Sequence, residues 1–348
     1  MRIVHLVRSD RFAGVEQFVL RLAIAQVRAG HRVEVLGGAP DRMADASRAA
    51  GVAWHPASAV RTALSALRAR RDDADVVNTH MTDADVTAVL ALGRRGPALV
   101  STRHFALPRG RVLGIPLDLF VRRRVDAEIA ISSAVAEATG IPSTVVHSGV
   151  PAASPSPATT PARMILMAQR LQPEKRADIG IRAFAASGLA DRGWRLDIAG
   201  DGPLRAELEE LIDTLGAGGS VRLRGFRDDM PDLLRTASLF LAPCDIEGLG
   251  LAVLEAMAAG VAPVAAAAAG HLDVLAGLDE RSGFRAGDVE DAADALRAFA
   301  GDDERRARLA EAAQRRARTE FSLDQQVAGS DEVYRRAIEH ARARGWRP

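Results

Sequence analysis

Lys175 is the only lysine among 46 basic residues; the other 45 are arginine. It closes the stretch Gln169-Arg170-Leu171-Gln172-Pro173-Glu174-Lys175, at a turn that the pattern places between a strand and a helix. An ammonium is a compact, strongly hydrated point charge, where a guanidinium is a planar fork. A buried phosphate approached end-on suits the former. Chance is the alternative, since a chain whose basic codons have drifted to Arg must keep its last lysine somewhere. Two more segments have residue types fit for an anionic or hydroxyl-bearing ligand. Ala199-Gly200-Asp201-Gly202-Pro203 reads as a glycine turn opening a helix, with Pro203 suited to the first helical turn. Glu247-Gly248-Leu249-Gly250-Leu251-Ala252-Val253-Leu254-Glu255 bares backbone N–H groups just where another helix begins. Glu255 falls about two turns after Glu247 on the same face, and two carboxylates beside a phosphate site suit sugar or ribose hydroxyls. A capping acid and a surface acid on an ordinary helix are the alternative.

These residues need a scaffold that gathers them, and the pattern describes one. Short apolar runs alternate with helical stretches, the mark of a parallel sheet covered by helices. Strands are expected at 3–7, 32–36, 75–77, 98–102 and 127–131, with a helix ending near Ala29 after a turn at 11–15. Residues 151–161 are rich in Pro, Ala, Ser and Thr and read as a linker. Beyond it the pattern restarts, with strands at 164–168, 195–199, 221–223, 239–242 and 263–266 and helices at 176–186, 203–215, 230–236 and 250–259. The expected domains are 1–153 and 162–320, joined by a linker at 154–161, with a helical tail at 321–348 bracing the first. Two such halves make a cleft, and open α/β sheets bind ligands at the carboxyl ends of their strands. The charged stretch 290–348 is polar enough to be a solvated surface.

Composition excludes several classes of function. A length of 348 residues implies two domains, and a net charge of +1 with 26% charged residues gives no field for nucleic acid. The opening Met1-Arg2-Ile3-Val4-His5-Leu6-Val7-Arg8 meets charge too early for a signal peptide, and no apolar run reaches about 18 residues. A single cysteine, Cys244 among apolar neighbours, points to a buried filler in a reducing cytoplasm.

In combination these motifs closely resemble the retaining glycosyltransferases of family four, with the GT-B fold. Carrying the likeness are Arg170-Leu171 with Lys175, the Gly200 turn, the two glutamates, and Glu255-Ala256-Met257-Ala258-Ala259-Gly260 followed by Pro263-Val264. Gly14 and Glu16, Gly30-His31-Arg32-Val33, Thr102-Arg103-His104, Ser282-Gly283-Phe284 and Gly287-Asp288 extend it over essentially the whole chain. The sequence departs from the family at Gln169, Arg176, Ala13 and Ala269, each where glycine is usual, and at His147-Ser148 where Pro-Asn is usual.

The resemblance implies an α/β GT-B architecture, two Rossmann-like domains with parallel sheets facing across a cleft. It implies transfer of a hexosyl unit from a nucleotide-diphosphate sugar, a UDP-sugar, to an acceptor hydroxyl. Arg170 and Lys175 would hold the diphosphate, Glu255 the ribose, and Glu247 with the backbone of Gly248, Leu249, Gly250 and Leu251 the transferred sugar. Gly14 and Gly200 would line the donor site and His104 would stand near the reacting sugar, with a structural histidine as its alternative and His80 evenly balanced. No Asp-x-Asp clamp is apparent, Asp83-Ala84-Asp85 reading as a helix start, so neither metal nor other cofactor is expected. A nucleotide-sugar 2-epimerase and a non-catalytic nucleotide-sugar-binding protein are the rival readings. The acceptor is unnamed: a small molecule, a glycan or a lipid-linked sugar. Its contacts are expected along 103–124, where Arg109, Arg111 and Arg122-Arg123-Arg124 flank an apolar stretch suited either to an anionic membrane or to a solvated helix. The expected setting is a cytoplasmic monomer or homodimer, with peripheral attachment at the inner face of the membrane as the variant.

Overall fold

A computed structural model of the protein describes residues 1–112, 114–152 and 162–347. The expected linker at 154–161 lies outside them. The chain forms two compact units, one of Met1–Gly149 with Leu323–Pro348 and one of Val150–Ser322.

The first unit is built on β1 (Arg2–Val7), β2 (Arg32–Gly37), β3 (Ala53–His55), β4 (Val76–His80) and β5 (Ala98–Arg103). A small antiparallel hairpin of β6 (Arg111–Val112) and β7 (Ile115–Pro116) follows, then β8 (Ala127–Ala130) and β9 (Thr144–Val145). The main sheet is parallel in the order β3-β2-β1-β4-β5-β8-β9. Its central strands are buried nearly throughout, as a sheet covered on both faces requires. Leu6, Leu36, Val77 and Leu99 lie in one core under the helices Val60–Ala69 and Thr82–Leu92.

The second unit repeats the plan with β10 (Met164–Ala168), β11 (Arg195–Ala199), β12 (Val221–Gly225), β13 (Leu239–Ala242), β14 (Ala262–Ala266) and β15 (Gly283–Phe284). They form a parallel sheet ordered β12-β11-β10-β13-β14-β15. Each sheet therefore reverses its winding once, between β1 and β4 in the first unit and between β10 and β13 in the second. At such a switch point neighbouring loops diverge and leave a crevice at the strand ends.

The charged C-terminal helices are not solvated all round. Val289–Ala300 buries Leu296 and Phe299, and Asp303–Glu320 buries Leu309, Ala313 and Ala317. Leu323–Ala343 belongs to the first unit and buries Val327, Tyr334, Ala337 and Ala341 in a stripe at helical spacing. Polar contacts reinforce the stripe: Asn78 Nδ2 donates to Tyr334 Oη at 2.6 Å, His31 Nε2 lies 2.8 Å from Asp331, and Arg344 Nη2 reaches Asp126 at 2.7 Å. Tyr334→Phe should leave the buried Asn78 amide without its acceptor and cost about 1–3 kcal/mol. Urea unfolding checks this, with a lower midpoint and an unchanged m-value expected.

Candidate active site

The second sheet brings the predicted segments together at the carboxyl ends of its strands. After β10 the chain runs through Gln169 and the exposed Arg170 into a short 3-10 turn, Pro173–Lys175. After β13, across the switch point, it runs from Pro243 to the helix Leu251–Ala258. Lys175 Nζ meets Glu247 Oε2 there at 2.5 Å, closing the crevice with an ion pair between residues 72 apart in sequence. Sequence reasoning assigned the two to different parts of a ligand; the structure pairs them directly. Burial raises the Glu247 carboxyl, but the Lys175 charge and hydrogen bond outweigh it and hold the group below its ordinary range.

Neighbouring loops hold this pair in place. Gln169 Nε2 donates to the Lys175 carbonyl at 3.0 Å, so the side chain that replaces the family's glycine pins the lysine's turn. Arg176 Nη1 lies 3.4 Å from Asp245. The Cys244 thiol donates to the Glu174 carbonyl at 3.1 Å, and burial, with the Glu247 charge, pushes it up to about 11. It is a packed thiol, unfit as a nucleophile at neutral pH. Arg170 keeps an extended position, 4.0 Å from Glu174, with its side chain 60% exposed. Glu255 lies half-buried in the helix Leu251–Ala258, one turn after Leu251.

The glycines are required by close backbone approach. Gly200 has φ +136°, and a Cβ there would sit 1.9 Å from the Gln169 carbonyl oxygen; one on Gly202 would sit 2.4 Å from that of Leu171. The glycine turn after β11 thus packs against the Arg170 loop. Gly250 caps the helix Leu251–Ala258 at φ +101°, and a Cβ would meet the His271 ring at 2.7 Å. A Cβ on Gly270 would strike the Gly248 carbonyl oxygen at 2.3 Å. His271, buried at the start of the helix His271–Leu275, was not singled out from the sequence. Burial lowers its pKa, and the neutral ring donates through Nδ1 to the Ala266 carbonyl at 3.2 Å. Its only sequence signal is its place after Ala269-Gly270.

Two of the departures from family glycines sit where glycine is preferred. Arg176 has φ +52° and Ala269 φ +45°, both in the left-handed region. A side chain there costs roughly 1–2 kcal/mol, a strain that persists only where surrounding contacts impose it. Both flank the ion-paired crevice.

The first unit holds the remaining candidates. Gly14 is the first residue of the helix Gly14–Arg28, with open space around an added Cβ, so packing within the chain does not require glycine. Glu16 folds the preceding loop, taking Ser9 Oγ at 2.5 Å and the Ala13 N–H at 2.9 Å. His104 follows β5 and bonds His80 Nδ1 at 3.0 Å; both rings are buried. Asp85 is consumed as a structural anion: its oxygens take Thr79 Oγ1 at 2.5 Å and Arg109 Nε at 2.6 Å. Asp83 faces Arg8 at 3.7 Å. Among the described residues no group of three or more His, Cys, Asp or Glu is disposed to hold a metal ion.

The stretch 103–124 differs from its expected form. Arg109, read as a basic flank, is buried among Asp85, Asp118 at 2.7 Å and Glu128 at 2.9 Å, so it is an internal anchor. Arg124 is likewise buried, 3.0 Å from Asp126. The apolar stretch between them forms the hairpin β6–β7 and a short helix, Leu117–Val121. Phe105, Leu107, Leu119 and Phe120 are exposed, as are Arg111, Arg122 and Arg123. Among the described residues no helix is long and apolar enough to cross a membrane.

Comparison with known proteins gives two family matches. A model of Glycosyltransferase Family 4 covers residues 12–154 and one of Glycosyl transferases group 1 covers 154–316. The chain is 29% identical over 234 residues to the lipopolysaccharide core biosynthesis mannosyltransferase LpsB of Rhizobium meliloti, covering 62% of this chain and 67% of that protein. It is 32% identical over 261 residues to the D-inositol 3-phosphate glycosyltransferase of Streptomyces avermitilis, covering 70% of this chain and 50% of that one. It spans between 15% and 67% of the lengths of four curated relatives it matches. Among solved structures, HepE of Anabaena in complex with UDP superposes with a TM-score of 0.78 at 21% identity, covering 95% of this chain and 99% of that one.

Ala269→Gly should relieve the left-handed strain beside the crevice and stabilise the second unit by roughly 1 kcal/mol, the freer unfolded chain offsetting part of the gain. Differential scanning calorimetry should show its transition rising by about 2–4 °C.

Proposed function

The chain belongs to the group 1 glycosyltransferases, family four, with the GT-B fold, and on that premise we propose that it moves a hexosyl unit from a UDP-sugar to an acceptor hydroxyl, with retention and without a metal. The observation that carries this reading is the Lys175–Glu247 pair at the switch point of the second sheet, beside the start of the helix Leu251–Ala258. A nucleotide diphosphate is held by positive charge and by the positive end of a helix, and a helix N-terminus with a lysine supplies both. Arg170, exposed five residues before Lys175, is the second cation for the leaving diphosphate. Glu255 takes ribose hydroxyls and Glu247 the transferred sugar. UDP in the HepE complex supports the uridine nucleotide, and LpsB, a mannosyltransferase, supports a hexose as the transferred unit.

In this mechanism attack and departure share one face of the sugar. The glycosidic bond to the diphosphate breaks while the acceptor oxygen bonds the anomeric carbon, and a donor phosphate oxygen takes the acceptor's proton. Arg170, Lys175 and the positive end of the helix Leu251–Ala258 stabilise the charge on the leaving diphosphate, the service a divalent cation gives elsewhere. Both oxygens of Asp85 are already engaged, which supports the metal-free assignment. The exposed Phe105, Leu107, Leu119 and Phe120 beside Arg111, Arg122 and Arg123 support a peripheral contact of the acceptor side with an anionic membrane.

Lys175→Arg should lose most activity despite keeping its charge, because the bulkier planar guanidinium cannot place its charge where the compact ammonium meets a packed phosphate end-on. Lys175→Ala should cost on the order of 3 kcal/mol in kcat/KM. Steady-state kinetics read both, and wild-type turnover in the arginine variant would reject the lysine's role.

Labelled UDP-sugars incubated with the protein in excess EDTA, with and without acceptor extracts, test the whole reading. Transfer or slow donor hydrolysis is expected, with the donor's anomeric configuration kept in the product by NMR coupling. A new epimer would make the protein an isomerase, and binding without turnover a sugar-nucleotide receptor. Loss in chelator restored by Mg²⁺ would reject the charge assignment.

A further inference from the structure

Three histidines of the first unit lie in a row that the proposed reaction leaves unused beyond its last member. His5 pairs in register with Asn78, two residues before His80, and His80 pairs with Thr102, two residues before His104. Side chains two apart share a face of a sheet, so the three imidazoles step diagonally across β1, β4 and the end of β5. Gln26 and Phe18, on the helix Gly14–Arg28, cover them; Phe18 meets the His104 ring edge-on at 4.7 Å. The distances form one chain. Gln26 Oε1 lies 2.7 Å from His5 Nε2, His5 Nδ1 lies 3.0 Å from His80 Nε2, and His80 Nδ1 lies 3.0 Å from His104 Nε2. The nitrogens face one another in pairs and not a common point, so the row is no metal site.

The chain has a direction. The Gln26 amide turns its oxygen, and not its nitrogen, to the ring, and an amide oxygen only accepts, so in this orientation His5 Nε2 carries a hydrogen. Burial drives His5 down to about 4 and His104 to about 3, and holds His80 well below its ordinary value. Each ring is therefore neutral at pH 7 and has one hydrogen to give. His5 Nδ1 must accept, which makes His80 Nε2 the donor; His80 Nδ1 must accept, which makes His104 Nε2 the donor. We propose that Gln26, His5 and His80 are positioning residues that lock His104 as its Nε2–H tautomer and leave its Nδ1 a bare acceptor for a substrate hydroxyl. The amide at the far end cannot take up a proton, so the row is a brace and not a conduit. A bare imidazole nitrogen repels a phosphate oxygen and takes a hydrogen bond from a sugar hydroxyl, so His104 reads the sugar. That last step rests on the proposed transferase reading; the tautomer lock does not. The backbone after His80 is consistent with an imposed ring position, since Met81 has φ 76° and ψ 159°, a conformation nearly confined to glycine.

Two-bond ¹⁵N–¹H spectra of the ¹⁵N-histidine-labelled protein at about pH 7, without donor, test the lock. His5, His80 and His104, assigned by single His→Phe variants, should each show a protonated Nε2 and a bare Nδ1. An Nδ1–H tautomer or an imidazolium at any of the three overturns it. In Gln26→Met the acceptor at the head of the chain is gone, and His104 should show both tautomers; a pure Nε2–H His104 would also overturn it. The same variant should raise the donor KM by roughly tenfold, near the worth of one hydrogen bond, with a smaller change in kcat. Mixed tautomers with an unmoved donor KM would overturn the hydroxyl contact, and absence of turnover in the parent protein would fail the transferase reading while leaving the spectra to decide the lock.

Discussion

A lysine and a glutamate 2.5 Å apart join two strand ends that the winding of the second sheet sends in opposite directions. β10 and β13 are neighbours, but the chain visits β11 and β12 between them, so their loops have no covalent reason to approach. The ion pair supplies one. Held together, the loops fix the turn at Pro173–Lys175 and the mouth of the helix Leu251–Ala258. Around it the backbones come so close that Gly200, Gly202 and Gly270 admit no Cβ. Left-handed backbone at Arg176 and Ala269 is tolerated in the same place. Strain of this kind survives only where several contacts agree, and here they agree on holding the two crevice loops rigidly together.

The first unit meets a different demand. Its central strands carry polar residues into a core sealed on both faces, so each polar group must find a partner inside. Asn78 gives its amide to Tyr334 and takes the Thr102 hydroxyl at 2.9 Å; Arg109 gathers two buried carboxylates and Ser101. The last helix of the chain is part of this solution, because Tyr334 arrives with it. A helix that looks solvated by composition is thereby tied to the polar core by one phenol.

Legibility followed the range of the interactions. The strands Met164–Ala168, Arg195–Ala199 and Leu239–Ala242 stand where their apolar runs placed them, since a strand buried on both faces announces itself locally. The helices Pro40–Ala49 and Val60–Ala69 were not read, for each buries only two residues and leaves a mixed pattern. Arg170, Lys175, Glu247 and the glycines were visible because their spacing matches a family. The Lys175–Glu247 contact was not, and neither was the burial of Arg109, because both depend on pairings 72 and 24 residues distant that no local pattern contains. Gln26 and His5 lie inside an ordinary helix and strand, where nothing in the spacing marks them.

The two units fix protonation at neutral pH by opposite means. In the second, Glu247 stays charged although burial opposes it, because a cation stands against it. Such a pair sits near a rim, where both side chains keep some exposure and a diphosphate can reach the cation. In the first, His5, His80 and His104 have no carboxylate partner among the described residues, and desolvation removes their charge. A neutral imidazole keeps a choice between two tautomers, so burial alone leaves its hydrogen-bonding face undefined. A fixed acceptor at one end removes that choice, and this is why a side chain as unreactive as the Gln26 amide matters to a ring two histidines away.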